Sequence, residues 1–247
     1  MNRNLNAALS VGISGAGEIG PYLVVAAVDS PDFAKGGASL VCDGVNDEVE
    51  INNTLSRLSS GGQLILAPGT YNIQTTNITV GANIVFSLPG NTTLNLSAGR
   101  TLTITGYLDA GLYTIFSGAG LVVFSDTATS GTNIAVYPQW WGARVGTTFD
   151  SAPAIQAALT AVPQGIPVII NGDFRADSTI IIDNRTLNVQ GGITRTTASA
   201  AVTEVIRIIG NNRARLIGTG VISSQNATPR GVVHVGPNNL FTDVNNI

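Results

Sequence analysis

The sequence predicts an all-β protein made of two tandem parallel β-helix (solenoid) units, each entered by a short α-helix. Three observations carry this. The block from Asp43 to Tyr71 reads as acidic turn, amphipathic helix and short apolar strand, and it returns between Asp150 and Phe174. Each block is followed by brief apolar runs separated by turns rich in Gly, Asn and Ser. If Ile65, Val85, Ile104 and Val122 mark equivalent sites, the runs recur about every 19 residues, near the range of periods that signals solenoids. Sandwiches also show short, evenly spaced strands, but the shared period and the lack of clear two-residue hairpin turns favour a parallel coil.

In chain order, residues 1–20 carry Gly12, Gly15, Gly17 and Gly20 with no sustained period and read as a flexible arm. Leu23 to Val28 reads as a first strand, Asp29 to Asp32 as a turn, and Ala38 to Cys42 as a second strand. Asp43-Gly44-Val45-Asn46-Asp47 offers side-chain oxygens to the free N–H groups of a helix start, so Asp43 and Asp47 are expected as caps. Ile51, Leu55 and Leu58 share one helical face, and Gly61-Gly62 stops the helix. Leu64 to Ala67 is too short for a helix and reads as a buried strand before Pro68-Gly69. Further strands are expected at 77–80, 84–86, 93–96, 102–105, 113–116 and 121–124. Ile155, Leu159 and Val162 repeat the helical face in the second block, with Asp150 as its cap, and Val168 to Ile170 repeats the strand. Runs at 180–182, 187–189, 205–209, 216–217 and 232–235 continue the second unit. The expected organisation is the arm over 1–20, a first unit over 21–137 and a second over 138–247. The second lacks a polar cap of the kind solenoid arrays need, so a longer chain or a covering partner subunit is expected.

Composition excludes several partners. Charged residues are 11% of the 247, against about 25% in typical globular chains, Lys35 is the only lysine and the net charge is −3. No field exists to attract nucleic acid or an anionic membrane, and no run approaches membrane-spanning length. Cys42 is the only cysteine and reads as a small buried apolar residue. The first ten residues lack the apolar core of a secretion signal.

With these residues in view, both blocks resemble the N-terminal opening of pectin-lyase-like right-handed parallel β-helix proteins of the pectate-lyase superfamily type, a scaffold similar to that of many phage tail spikes and tail-associated proteins. The matching pieces are Cys42-Asp43-Gly44 through Asp47 to Ile51, then Gly61-Gly62 and Pro68 to Tyr71. In the second unit they are Trp141-Gly142-Ala143, Asp150, Ala154 to Leu159, and Gly172-Asp173-Phe174. The resemblance implies right-handed coils whose open ends are capped by the two helices. The second copy departs from the pattern at Thr147-Thr148-Phe149 and at Asn171, where proline is usual.

Activity does not follow from a scaffold. The Asn-Thr-Asp, Asp-Asp and Gly-His-Gly motifs of pectin-cleaving hydrolases of this fold are absent. His234 is the only histidine and lacks the partners of a triad or metal site, so it reads as a solvated strand residue. Asp173, Asp177 and Asp183 are the densest carboxylates that a glycosidase-like pair would draw on, yet they read first as turn residues. Trp140 and Trp141 are candidate sugar platforms, or else seal the junction between units. Arg207, Arg213 and Arg215 are candidates to grip an acidic polysaccharide from one shared outer face. Gly15 to Gly20 fits the letters of a dinucleotide fingerprint without its strand and helix context. No metal site or cofactor is expected. The function expected is that of a phage-tail-spike-like virion structural protein, trimeric, contacting host surface polysaccharide and other tail proteins. The alternatives are a polysaccharide lyase or glycoside hydrolase with its catalytic coils outside this chain or between subunits, and a purely structural spacer.

Overall fold

The computed structural model describes residues 21–125, 135–196, 204–210, 213–224 and 232–236. The arm expected over 1–20 lies outside them. Every strand pairing in the described residues is parallel, and the strands stack as a β-solenoid. The turn expected at Asp29 to Asp32 leads into a helix the sequence reading did not include, α1 (Asp32–Gly37), and α2 (Glu48–Arg57) and α3 (Ala152–Ala161) are the helices of the two blocks.

The first unit has three rungs of three strands. The first rung is Gly62–Leu66, Gly69–Ile73 and Ile78–Val80. The second is Ile84–Leu88, Thr92–Leu96 and Thr101–Ile104, and the third is Tyr107–Ala110, Phe116–Gly118 and Leu121–Phe124. Strands Tyr22–Ala26 and Leu40–Val41 extend the first sheet to five strands. Inward side chains stack in register: Leu64 under Phe86 under Leu108, Tyr71 under Leu94 under Phe116, and Ile78 under Leu102 under Val122. All nine are buried. Because one face of each strand points inward, alternation alone assigns these positions.

The second unit repeats the plan with Pro167–Ile170, Asp173–Arg175 and Ile180–Asp183 as its first rung, then Thr186–Val189, Gly192–Arg195 and Ile206–Ile209, then Arg215–Gly218, Val221–Ser224 and Val233–Val235. Val168–Leu187–Leu216 and Phe174–Ile193–Ile222 are among its stacks. A strand at Gly146–Asp150 pairs with Asp173–Arg175, and Val136 pairs with Val168, so the lead-in segment is laid onto the coil before α3 begins.

Three corners are turned by asparagine in the left-handed region, Asn46, Asn91 and Asn184, which accounts for part of the Asn-rich turn composition. Gly62, where α2 gives way to strand, has a φ of +143°, and a Cβ there would lie 2.2 Å from the Pro21 carbonyl oxygen.

The period expected from sequence is corrected. Gln63 pairs with Val85 and Val85 with Tyr107, a step of 22 residues each time. Ile65 and Val85 face outward on the first sheet, whereas Ile104 and Val122 face inward on another, so the four are not equivalent. The strand expected over 113–116 is also shifted: Tyr107–Ala110 and Phe116–Gly118 flank that segment.

Candidate functional site

The first sheet turns an ordered outer face to solvent. Its register places Tyr22, Gln63, Val85 and Tyr107 in one row across four strands, and Val24, Ile65, Ser87 and Asp109 in the next. Tyr22 is 65% and Tyr107 41% exposed. Gln63 Nε2 donates to Ser87 Oγ at 2.8 Å, and Ser87 Oγ donates to Asp109 Oδ2 at 3.0 Å, so amide, hydroxyl and carboxylate form one hydrogen-bonded chain across three strands. Strands lie roughly 4.8 Å apart, which puts the two tyrosines about 14 Å apart along the row. A face with aromatic ends, Gln63 and Val85 between them and the hydrogen-bonded Ser87 and Asp109 in the next row can stack on sugar rings and bond hydroxyls. A 19-residue period does not align these residues, so sequence reasoning misses them; a 22-residue period aligns Gln63, Val85 and Tyr107.

The residues singled out from sequence fall elsewhere. Trp140 is buried, at 2% exposure, so it offers no platform to a sugar. It sits in a 3₁₀ turn, Pro138–Trp141. Its Nε1 donates to the Gly111 carbonyl at 2.9 Å, and its ring lies 6.0 Å from that of Phe124 and 5.6 Å from that of Tyr137. Trp141 is half-buried with its ring 5.0 Å from that of Phe116. The pair packs the last rung of the first unit against the start of the second.

Arg207, Arg213 and Arg215 do not share a face. Arg207 points outward between Ile181 and His234 and pairs with the buried Glu204. Arg213 precedes a strand and donates to Gln164 Oε1 at 3.2 Å, and Arg215 stands beside Thr186 on a different sheet. A corner of the coil separates these arginines, and alternation does not persist through a corner. Asp173, Asp177 and Asp183 are likewise divided. Asp177 is ion-paired with Arg175, and Asp173 and Asp183 belong to different sheets. His234 occupies the outer row with Arg207.

The acidic turn has a different task from the one expected. Asp47 holds the N-cap position of α2, but no side-chain bond caps the helix there. Its Oδ1 accepts from Gly44 N–H at 2.8 Å and its Oδ2 from Asn72 N–H at 2.7 Å, tying the turn to the strand Gly69–Ile73. Asp43 Oδ1 accepts from Val45 N–H, a bond within the turn and not to the helix. The next residue after Asp47, Glu48, is fully buried: Oε2 accepts from Gln74 N–H, and Oε1 accepts from Thr75 N–H, Thr75 Oγ1 and Thr76 N–H. Burial pushes the Glu48 carboxyl up, but the bonds from Thr75 and Thr76 outweigh it and hold it below the usual range. Asp47 moves the other way, raised by burial despite the bonds from Asn72 and Gly44. In the second block Asp150 Oδ1 accepts from Ala152 N–H at 3.0 Å, at the start of α3, and from Asp177 N–H at 2.9 Å.

Cys42, Asp47 and Glu50 bring a sulfur and two carboxylates within 4.8 Å of one another. Burial, then Asp47, Glu50 and Asp43, push the Cys42 thiol far above its ordinary value. Both Asp47 oxygens already serve backbone N–H groups.

Compared with family models, with curated proteins and with solved structures, the chain has no match. No helix among the described residues is long and apolar enough to cross a membrane.

Proposed function

We propose that this chain is a structural solenoid of a phage tail, similar in role to a tail spike, that contacts host surface glycan along the outer face of its first sheet. The observation that carries the proposal is the row from Tyr22 to Tyr107 beside the Gln63–Ser87–Asp109 chain. A parallel solenoid is a rigid support on which such rows are set by register, so recognition groups need no loop to position them. The low charge of the sequence favours contact through stacking and hydroxyl bonding over ion pairing. Trimeric assembly and attachment to other tail proteins belong to the same proposal.

The test is binding of the full chain to a panel of bacterial surface polysaccharides, with light scattering to give its mass. The expected outcome is a trimer that binds at least one glycan without shortening it, and a loss of at least tenfold in affinity for Tyr107→Ala. A species that shortens the glycan would put the reading of a lyase or hydrolase in its place. Binding unchanged by both Tyr107→Ala and Asp109→Ala would overturn the assignment of this face.

A further inference from the structure

The hydrogen-bonded chain on the outer face of the first sheet has a direction, and the direction limits what can bind there. Gln63 donates through Nε2 to Ser87 Oγ, and Ser87 donates its single hydroxyl hydrogen to Asp109 Oδ2. Ser87 is buried, at 6% exposure, so its hydroxyl fixes the groups on either side and is closed to a ligand. Gln63 Oε1 and Asp109 Oδ1 take no part in the chain. Both are acceptors, so the ligand has to donate.

Charge narrows the choice further. Asp109 is exposed and is the one charged side chain in the two rows that run from Tyr22 to Tyr107 and from Val24 to Asp109. Among the described residues no ion pair includes it. Lys35, the only lysine, is held by Asp32 Oδ1 at 3.2 Å and donates to the Val28 carbonyl. A carboxylate with no cation beside it repels acidic sugars and attracts a cation. Tyr107 stands two residues before Asp109 on the same strand and the same face, about 7 Å away. An ammonium group between them is drawn both to the carboxylate and to the face of the ring. A sugar ring stacked on Tyr107 can carry that group as a substituent.

We propose that this face selects a glycan built from amino sugars with free amines, the ammonium seated between Asp109 and the Tyr107 ring and a sugar hydroxyl donating to Gln63 Oε1. The proposal rests on the glycan reading of the face given above and names the class of glycan. It runs opposite to an acidic polysaccharide gripped by arginines.

Calorimetric titration of the full chain in mildly acidic buffer, where sugar amines are protonated, tests the proposal with three oligosaccharides of equal length: glucosamine, N-acetylglucosamine and galacturonate oligomers. The glucosamine oligomer is expected to bind about tenfold tighter than its neutral N-acetylated counterpart, the scale of an exposed ion pair and an exposed cation–π contact together. The galacturonate oligomer is expected to bind weakest. Asp109→Asn is expected to bring the glucosamine oligomer down to the level of the N-acetylated one. Asp109 is exposed and asparagine keeps an acceptor for the Ser87 hydroxyl, so this variant retains the fold. No binding of the glucosamine oligomer, equal binding of the neutral one, or tighter binding of the galacturonate oligomer would each overturn the proposal. So would a preference for the amine that survives Asp109→Asn, which would trace it to the net negative charge of the whole chain. In each of these cases the glycan reading of the face stands if a polysaccharide of the bacterial panel binds in a Tyr107-dependent way, and it falls too if none does.

Discussion

At Asp47 the chain passes into α2 and at Ser151 it passes into α3, and these two helix starts are joined to their coils by different chemistry. Some of the geometry is shared. Asp47 N–H bonds Asn72 O as Ser151 N–H bonds Arg175 O, and Ile51 and Ile155 each bond back to the residue at the helix start. Asn52 reaches Asn77 O as Gln156 reaches Ile181 O. The first helix start, however, is pinned to its first rung by two adjacent buried carboxylates, Asp47 and Glu48. The second has a hydroxyl and a methyl there, Ser151 and Ala152, and relies on Asp150 and on aromatic packing around Trp140. A helix that begins a solenoid has to fasten to the one coil that follows it. Helix α3 also packs against the strand Leu121–Phe124 of the coil before it, so apolar contact on that side takes over part of the fastening.

The strongest way to break this comparison is Trp140→Ala. If aromatic packing fastens the second helix start, emptying that position costs about 3–5 kcal/mol, the range for large buried aromatics. For a chain of this size that is a fall of roughly 10 °C in Tm. A Tm within a few degrees of the parent would show that Asp150 and α3 suffice.

Next in size is Glu48→Ala. It strands the N–H groups of Gln74, Thr75 and Thr76 and the Thr75 hydroxyl, and the expected loss is on the order of 3 kcal/mol. Asp150→Ala removes the acceptor of two backbone N–H groups in a part-buried setting, and about 1 kcal/mol is expected. Denaturant titration of both variants measures the difference, and equal losses would remove the distinction between the two helix starts.

Much of this architecture was legible in the sequence, and the illegible part has a physical cause. The helices showed because Ile51, Leu55 and Leu58, and their counterparts Ile155, Leu159 and Val162, sit at helical spacing between glycine and turn residues. Of the middle strands, Thr92–Leu96 showed as the run at 93–96, but Gly69–Ile73 and those of the second unit did not. In Gly69–Ile73 only Tyr71 and Ile73 are buried, while Thr70 and Asn72 face outward and dilute the apolar signal. Rung length was misjudged because inward and outward positions of different sheets look alike in sequence. In the second unit the step also changes, with Pro167 to Thr186 spanning 19 residues and Thr186 to Arg215 spanning 29. The outer row shared this fate: nothing marks Tyr107 or Gln63 until the register places them together. The aromatic doublet at Trp140 was legible as a junction because two large rings beside a helix start have few other places to go.

The smallest effect separates the two buried carboxylates from each other. Glu48 has its folded value lowered, so it contributes stability that is fully present above its unfolded value of about 4.3 and is lost as pH falls through the folded value. Asp47 has its folded value raised, so its charged form weighs against the fold, and stability is recovered as pH falls through that raised value towards about 3.9. The neighbours therefore oppose each other on acidification, Asp47 acting first and Glu48 at lower pH. Chemical unfolding of the parent, Glu48→Gln and Asp47→Asn between pH 7 and pH 3 reads this out. Glu48→Gln should start less stable and then lose less than the parent below about pH 4.3. Asp47→Asn should lack the recovery at milder acidity and so decline more than the parent over the whole range. Parallel profiles for all three proteins would mean that neither carboxylate couples proton binding to folding, and the contrast between a charged helix start and an apolar one would then rest on Trp140 alone.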